Sequence, residues 1–310
     1  MNLVSQVNRV WVAALAAIFV AAAQTPQQLA EAGHCREAVP ALKSAIAKTA
    51  DPDVRKRMAI DGVRCGMTLN ELDTALGFLA ELNKQFPDDP EVLYLSVHVF
   101  SDLSLRASQR LIAADPSSYQ VHELNAEALE TQGKWSEAAA EYREVLKRNP
   151  DLPGIHYRIG RLLLSNPKSA AATADARREF EEELKIDPRN AGAEYVLGEL
   201  ARRDGLDQAA IDHFRHAATL DAGFADAFIG LGRTLLADGR TAEAIPALES
   251  AVKLNPNSAM AHYELATAYS RSGRKEEAAR EYRLQKQANE KQQQADQRVR
   301  EGIAGAPPKP

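Results

Sequence analysis

The sequence predicts an all-α chain, a solenoid of antiparallel helix pairs, and three observations carry that prediction. First, prolines close successive segments at a fixed beat: Pro116 to Pro150 is 34 residues, Pro188 to the equivalent Ala222 is 34 and Ala222 to Pro256 is 34, with Pro150 to Pro188 stretched by four. A period of this length is that of a helical repeat, in which no pair buries its apolar face alone and each must stack on its neighbours. Second, the same residue types return at the same offsets inside the beat. Third, alanine and leucine are abundant, charge is high and mixed, and no run alternates with period two as a half-buried strand would. At 310 residues a globular chain would divide into about two domains, but a solenoid grows in one dimension and reads as one continuous array.

The offsets have physical reasons. With the closing proline counted as position 32, glycine occupies position 15 in Gly133, Gly205, Gly239 and Gly273. The tight turn between two antiparallel helices favours a residue that accepts positive φ. Alanine occupies position 20 in Ala138, Ala176, Ala210, Ala244 and Ala278, where the second helix of a pair crosses closely over the first. A large apolar side chain follows at position 24, in Tyr142, Phe180, Phe214, Leu248 and Tyr282, and fills the space beside that crossing. Together with the run from Ala193 to Gly198, continued through Gly205, Ala210, Phe214 and Ala217, these residues resemble the tetratricopeptide repeat. The resemblance covers five units over residues 117–290. It implies a right-handed superhelical solenoid. The aromatic residue usual at position 4 is kept as Phe228 and replaced by His122, Glu194 and His262 elsewhere.

Residues 24–116 read as degenerate units of the same kind. Val54 to Cys65 reads as a first helix, and Leu72 through Leu79 and Leu82 to Pro87 as the second. Pro90 to Leu103 fits another first helix, but only 29 residues separate Pro87 from Pro116, so 104–114 form either a shortened second helix or a continuation of the first. Ala38 to Ile46 echoes Ala244 to Val252, which brings the count to about seven and a half units. The stretched unit carries its insertion at Asn166 to Thr173. It reads as an edge loop open to a partner or as a flexible alanine-rich spacer.

The two ends differ from the array. Arg9 precedes an apolar stretch from Val10 to Ala23, closed by three alanines before Gln24, which is the layout of a secretory signal peptide over residues 1–23. The stretch is short of the ~20 residues that span a bilayer as a helix, so cleavage near Gln24 is expected, with an uncleaved anchor as the lesser alternative, and the processed chain is expected to hold no stable membrane span. The expected location is therefore the cell envelope, a bacterial periplasm. Export bears on the two cysteines, since oxidising compartments permit pairing. In the repeat frame Cys35 opens one second helix and Cys65 lies near the end of the next first helix, so a disulfide is expected, with two buried thiols as the alternative. Residues 291–310 read as a polar extension that caps the stack, thinly apolar at Ala295, Val299 and Ile303, followed by a disordered tail from Gly305.

Chemistry is sparse. A net charge of −5 offers no general basic surface for nucleic acid. His213 and His216 lie three apart on a helix, but no third metal ligand is identifiable. His122, His156 and His262 share position 4 and read as packing and hydrogen-bonding residues. Gly230 and Gly232 fall inside a repeat helix, where no phosphate-cradling loop forms, and no Ser or Cys nucleophile has a recognisable setting. The reading is a non-catalytic protein without metal or cofactor.

The surface remains. The resemblance implies that positions 2, 5, 9, 12 and 13 of each first helix line a concave groove. Position 5 holds Tyr94, Tyr157, Tyr195 and Tyr263; Arg161 and Arg233 fall at 9, Arg202 at 12, and Arg203 and Arg271 at 13. Tyrosine gives contact area at low entropic cost and arginine forks onto carboxylates, so this lane suits an extended peptide or a partner's helix. The unit before it is acidic, with Glu123, Glu127 and Glu130. The bland alternative is tyrosine that packs and arginine that is merely solvated. The family's carboxylate clamp wants lysine at 5 and asparagine at 9. Tyr157 with Arg161, or Tyr195 with Glu199, stand there instead. The functional expectation is an envelope scaffold binding a protein segment. Its rivals are a solenoid for small molecules or glycans and an accessory subunit of an envelope enzyme complex.

Overall fold

The computed structural model describes residues 24–165 and 170–304, with the backbone alone at Ala170 and 301–304. The proposed signal peptide, residues 166–169 of the insertion and the tail from Gly305 lie outside the described residues. Among the described residues there are fifteen helices and no strand. They fall into two compact units, Met1–Arg110 and Leu111–Pro310.

The first unit opens with α1 (Pro26–Glu31) against α2 (Cys35–Ile46), followed by α3 (Pro52–Thr68) against α4 (Leu72–Gln85). Thr25 starts α1 with a capping box closed by Gln28, and Asp51 caps α3 by accepting from the amides of Asp53 and Val54. The turn between α3 and α4 needs a left-handed residue. Asn70 supplies it at φ 60°, in the place that glycine holds elsewhere. Leu42, Val63, Leu79, Leu82 and Val92 form the core. Cys35 at the start of α2 and Cys65 near the end of α3 are joined by a disulfide, with Cα atoms 5.0 Å apart.

α5 (Pro90–Ala114) is one continuous helix, so the lost turn gives a continuation and no separate second helix. Residues 103–114 hold neither glycine nor proline and are rich in good helix formers, so nothing interrupts the hydrogen-bond ladder. With no second helix folding back, Leu93, Val97 and Phe100 stay exposed on it.

The second unit contains five complete pairs: α6 (Tyr119–Thr131) with α7 (Trp135–Arg148), α8 (Ile155–Ser165) with α9 (Ala170–Ile186), α10 (Ala191–Arg203) with α11 (Asp207–Leu220), α12 (Ala225–Ala237) with α13 (Thr241–Leu254), and α14 (Ala259–Arg271) with α15 (Lys275–Ala304). Ser118, Asn190 and Ser258 cap the first helices of their pairs. The α8 start is served differently: Glu183, fully buried, accepts from the backbone N–H of Gly154 and of Tyr157, which is what allows a carboxylate to be buried there. Ala138, Ala176, Ala210 and Ala244 at position 20 are buried, as are Tyr142, Phe180, Phe214 and Leu248 at position 24. Phe214 shows why. A Cβ at Gly198 would stand 2.9 Å from its ring and one at Gly230 2.6 Å, so the ring is clasped by the bare backbone of its own first helix and of the next.

Two elements exceed the repeat. α9 has 17 residues against 14 in α11, because the alanine-rich end of the insertion joins the helix and does not remain a spacer. α15 runs for 30 residues beside the 13 of α14, and from Asn289 to Arg300 all its side chains are exposed. Tyr282, the position 24 residue of this last pair, is 40% exposed where its counterparts are buried.

Candidate functional site

The first helices α10, α12 and α14 touch in succession and build one face from which the sequence-selected residues project. Arg202, on the last turn of α10, forks onto Glu199 one turn earlier, with Nη2 2.8 Å from Oε2. Arg233 of α12 reaches back to the same carboxylate, Nη2 to Oε1 2.9 Å. Arg271 of α14 donates to the backbone carbonyl of Leu236 on α12. Glu264, almost wholly buried on α14, lies in the field of Arg233, Arg271 and Arg202. Burial pushes its carboxyl above the usual range, and the three guanidinium groups pull it back only in part. The hydrogen bond to Glu199 holds the Arg202 guanidinium above its ordinary value. Asp226, on the first turn of α12, acts on the same Tyr195 as Glu199, Arg202 and Arg233, and Arg233 Nε is buried with no partner.

The tyrosines divide. Tyr195 is half-buried between Phe214 and Phe224, at ring separations of 5.7 and 4.9 Å, and burial pushes its hydroxyl up. Tyr157 packs on Phe180, and its hydroxyl approaches Gly192 so closely that a Cβ there would lie 2.9 Å away. Both therefore carry packing between pairs as well as any surface role. Arg161 is exposed, its guanidinium 5.8 Å from the Tyr157 ring. Tyr263 is exposed beside Tyr282, and Arg203 is exposed with no carboxylate in ion-pair reach among the described residues. The structure brings Tyr195, Arg202, Arg233 and Arg271 together, sets Tyr157 with Arg161 apart on α8, pairs Tyr263 with Tyr282 of α15, and leaves Arg203 outside the cluster. The acidic residues of the preceding pair are partly spent: Arg158 bridges Glu127, and Tyr142 donates to Glu130.

Glu264 was not singled out by sequence reasoning. It falls at position 6, between the lane positions, and its only signal is a charge on the packed side of a helix. The histidines also resolve. Position 4 faces position 23 across each pair: His122 bonds Glu141 at 2.7 Å, His156 bonds Glu179 at 2.6 Å and His262 bonds Glu281 at 2.6 Å. In the α10–α11 pair the partners are exchanged, with Glu194 at position 4 and His213 at 23, 2.6 Å apart. Among the described residues no three ligand-type side chains gather into a metal-binding group. No helix of the described residues is long and apolar enough to cross a membrane.

The model of the tetratricopeptide repeat matches residues 101–153, 123–175, 157–223 and 229–290. No curated protein matches the chain. Among solved structures, MamA protein is 24% identical with a TM-score of 0.50, over 58% of this chain and 96% of its own. MamA from residue 41 to its end, of Desulfovibrio magneticus RS-1, is 20% identical with a TM-score of 0.50, over 56% and 96%. YrrB, described as a tetratricopeptide repeat protein with an unusual peptide-binding site, is 19% identical with a TM-score of 0.50, over 59% and 92%. At these identities the likeness carries the fold alone.

Proposed function

This chain belongs to the tetratricopeptide repeat family, and on that premise we propose that it is a non-catalytic scaffold of the cell envelope that holds a segment of a partner protein on the face of α10, α12 and α14. The protein-interaction role follows from the repeats themselves, and the choice of face rests on one observation. Arg202, Arg233 and Arg271 converge from three successive helices around Glu199 and Glu264, beside the half-buried Tyr195, and one guanidinium N–H, Arg233 Nε, is left without a partner. Such a surface favours a segment that brings a carboxylate and an apolar side chain together. A peptide-binding site in YrrB accords with this use of the fold but does not choose the residues. The envelope location is supported by the layout of residues 1–23 and accords with a disulfide.

A photo-crosslinking amino acid at Tyr263 or Arg203 is expected to trap a partner in cells, and one at Leu220 or Leu254, exposed on second helices, is not. The trapped species should disappear in an Arg233→Ala/Arg271→Ala variant that keeps its helical circular dichroism. Equal trapping from Leu220, or none from Tyr263, would remove the face from consideration. Mass spectrometry of the protein recovered from an osmotic-shock fraction tests the location: an N-terminus near Gln24 is expected, and an intact Met1 in the cytosol contradicts it.

A further inference from the structure

Positions 4 and 23 face each other between the helices of a pair, and in the second unit they fill the space with imidazole and carboxylate, or in the α12–α13 pair with Phe228 and Ala247. The α3–α4 pair of the first unit places Ala59 and Phe78 there. Both are buried, Ala59 at 4% exposure. The Phe78 ring lies over Gly62, where a Cβ would come within 2.6 Å of it, one turn from Ala59 along α3. Beside them lies a cleft of about 220 Å³ between α2 and α4, floored by Ile46 and Phe78 with Ala59 at its base. An apolar cavity of roughly 150 Å³ takes benzene, so this one accommodates a ring with a short chain.

The mouth has its own chemistry. Asp73, Gly77 and Glu81 follow one another at four-residue spacing on one stripe of α4, which sets a carboxylate on each side of a residue with no side chain. A Cβ at Gly77 would meet nothing within 4 Å, so the glycine is what holds the entrance open. Neither carboxylate has a cation in ion-pair reach among the described residues. Lys43 on the α2 side lies 5.8 Å from the Phe78 ring centroid, across the cleft. Arg55 stands in an adjoining space of about 10 Å³, room for a single water on its unpartnered Nε. The mouth therefore carries two carboxylates against one ammonium over an apolar floor.

We propose that this cleft binds a compact aromatic or branched apolar group bearing a positive charge, with the ring against Ile46 and Phe78 and the cation between Asp73 and Glu81. The group is either a free amine or an aromatic side chain next to a basic one in a peptide. The site shares no residue with the face of α10, α12 and α14, so it stands or falls separately.

The test is a titration of the full-length, nitrogen-15-labelled protein with phenethylamine, following the amides of Thr74 and Gly77 by NMR. Phenylpropionate and phenylethanol serve as anionic and neutral isosteres, and an acetylated Phe-Lys amide as the peptide arm. The cationic probes are expected to saturate, with phenylpropionate weaker by about tenfold or more. Gly77→Leu fills the mouth without a clash and should abolish binding. Asp73→Asn/Glu81→Gln should bring the amine down to the affinity of the alcohol. Tighter binding of the peptide than of the free amine assigns the ligand to a chain, and the reverse order assigns it to a small molecule. Absence of saturable shifts with both cationic probes, equal affinity for phenylpropionate, or undiminished binding by Gly77→Leu would each overturn the proposal.

Discussion

Replacing Phe214 by alanine tests the repeat packing where it is tightest. The side chain is fully buried, and its ring is bounded by Gly198 and Gly230, neither of which has a side chain that could move into the space. Removal of a buried phenylalanine costs about 3 to 5 kcal/mol, and the cost rises with the cavity that cannot collapse. The two rigid backbones place this site near the upper end, about 4 to 5 kcal/mol. Tyr282 occupies the same repeat position but is 40% exposed, so its replacement by alanine is expected to cost only about 1 to 2 kcal/mol. Urea unfolding followed by circular dichroism gives the two free energies. Amide exchange locates the loss, which should centre on α10 through α13 because solenoid stability is a sum over neighbours. Equal costs for the two variants, or a Phe214 cost under about 1 kcal/mol, would refute the claim that position 24 is clasped between successive first helices.

Three further outcomes are expected. The disulfide closes a loop with a sequence separation of 30, so Cys35→Ser/Cys65→Ser should destabilise the first unit by about 3 to 4 kcal/mol; amide exchange that accelerates equally in both units would contradict this. Burial raises the Glu264 carboxyl, so the folded state binds more protons than the unfolded and stability falls as pH rises from the ordinary 4.5 through the folded value. Thermal melts should therefore show Glu264→Gln above the wild type near neutral pH with the gap closing in acid, and a wild type that melts higher near neutral pH refutes the sign. Finally, His156→Glu sets two carboxylates face to face and should cost about 2 kcal/mol, while the exchange His156→Glu/Glu179→His, copying the α10–α11 arrangement, should recover most of it in a double-mutant cycle.

The architecture was legible where the backbone itself restricts the residue. Gly133, Gly205, Gly239 and Gly273 all have φ between 72° and 80°, a region that side chains strongly disfavour, so the chemistry of the turn is written in the sequence. The α3–α4 turn was harder to read because Asn70 tolerates the same region and carries no such signature. α5 was left open between two forms because the loss of a turn is an absence of signal, decided only by the helix propensity of what remains. The face of α10, α12 and α14 was legible by position and less so by charge. Arg202 and Arg233 meet on one carboxylate, and their sharing of Glu199 depends on the stagger of α10 against α12, which no residue type signals. Glu264 was missed because position 6 points between helices, where a carboxylate signals a buried charge and not a surface.

The degeneracy of position 4 has a single explanation in the exchanges it makes with position 23. Histidine faces glutamate three times, glutamate faces histidine once, phenylalanine faces alanine once and alanine faces phenylalanine once. Neither position keeps a residue type. What each pair keeps is a joint requirement, either a hydrogen bond in which one partner accepts what the other donates, or one large apolar group set against one small. A polar pair must also be satisfied internally, since His262 is only 3% exposed and an unpaired imidazole there would carry a desolvation cost of about 1 to 3 kcal/mol. The aromatic residue usual in the family is therefore one solution among several to filling the space between two helices. In the α3–α4 pair the phenylalanine ring leans on Gly62, both Ala59 and Phe78 are buried, and a cleft remains beside them toward α2. A cleft at that place goes with a phenylalanine at position 23 that leans along α3 and with a glycine, Gly77, at its mouth.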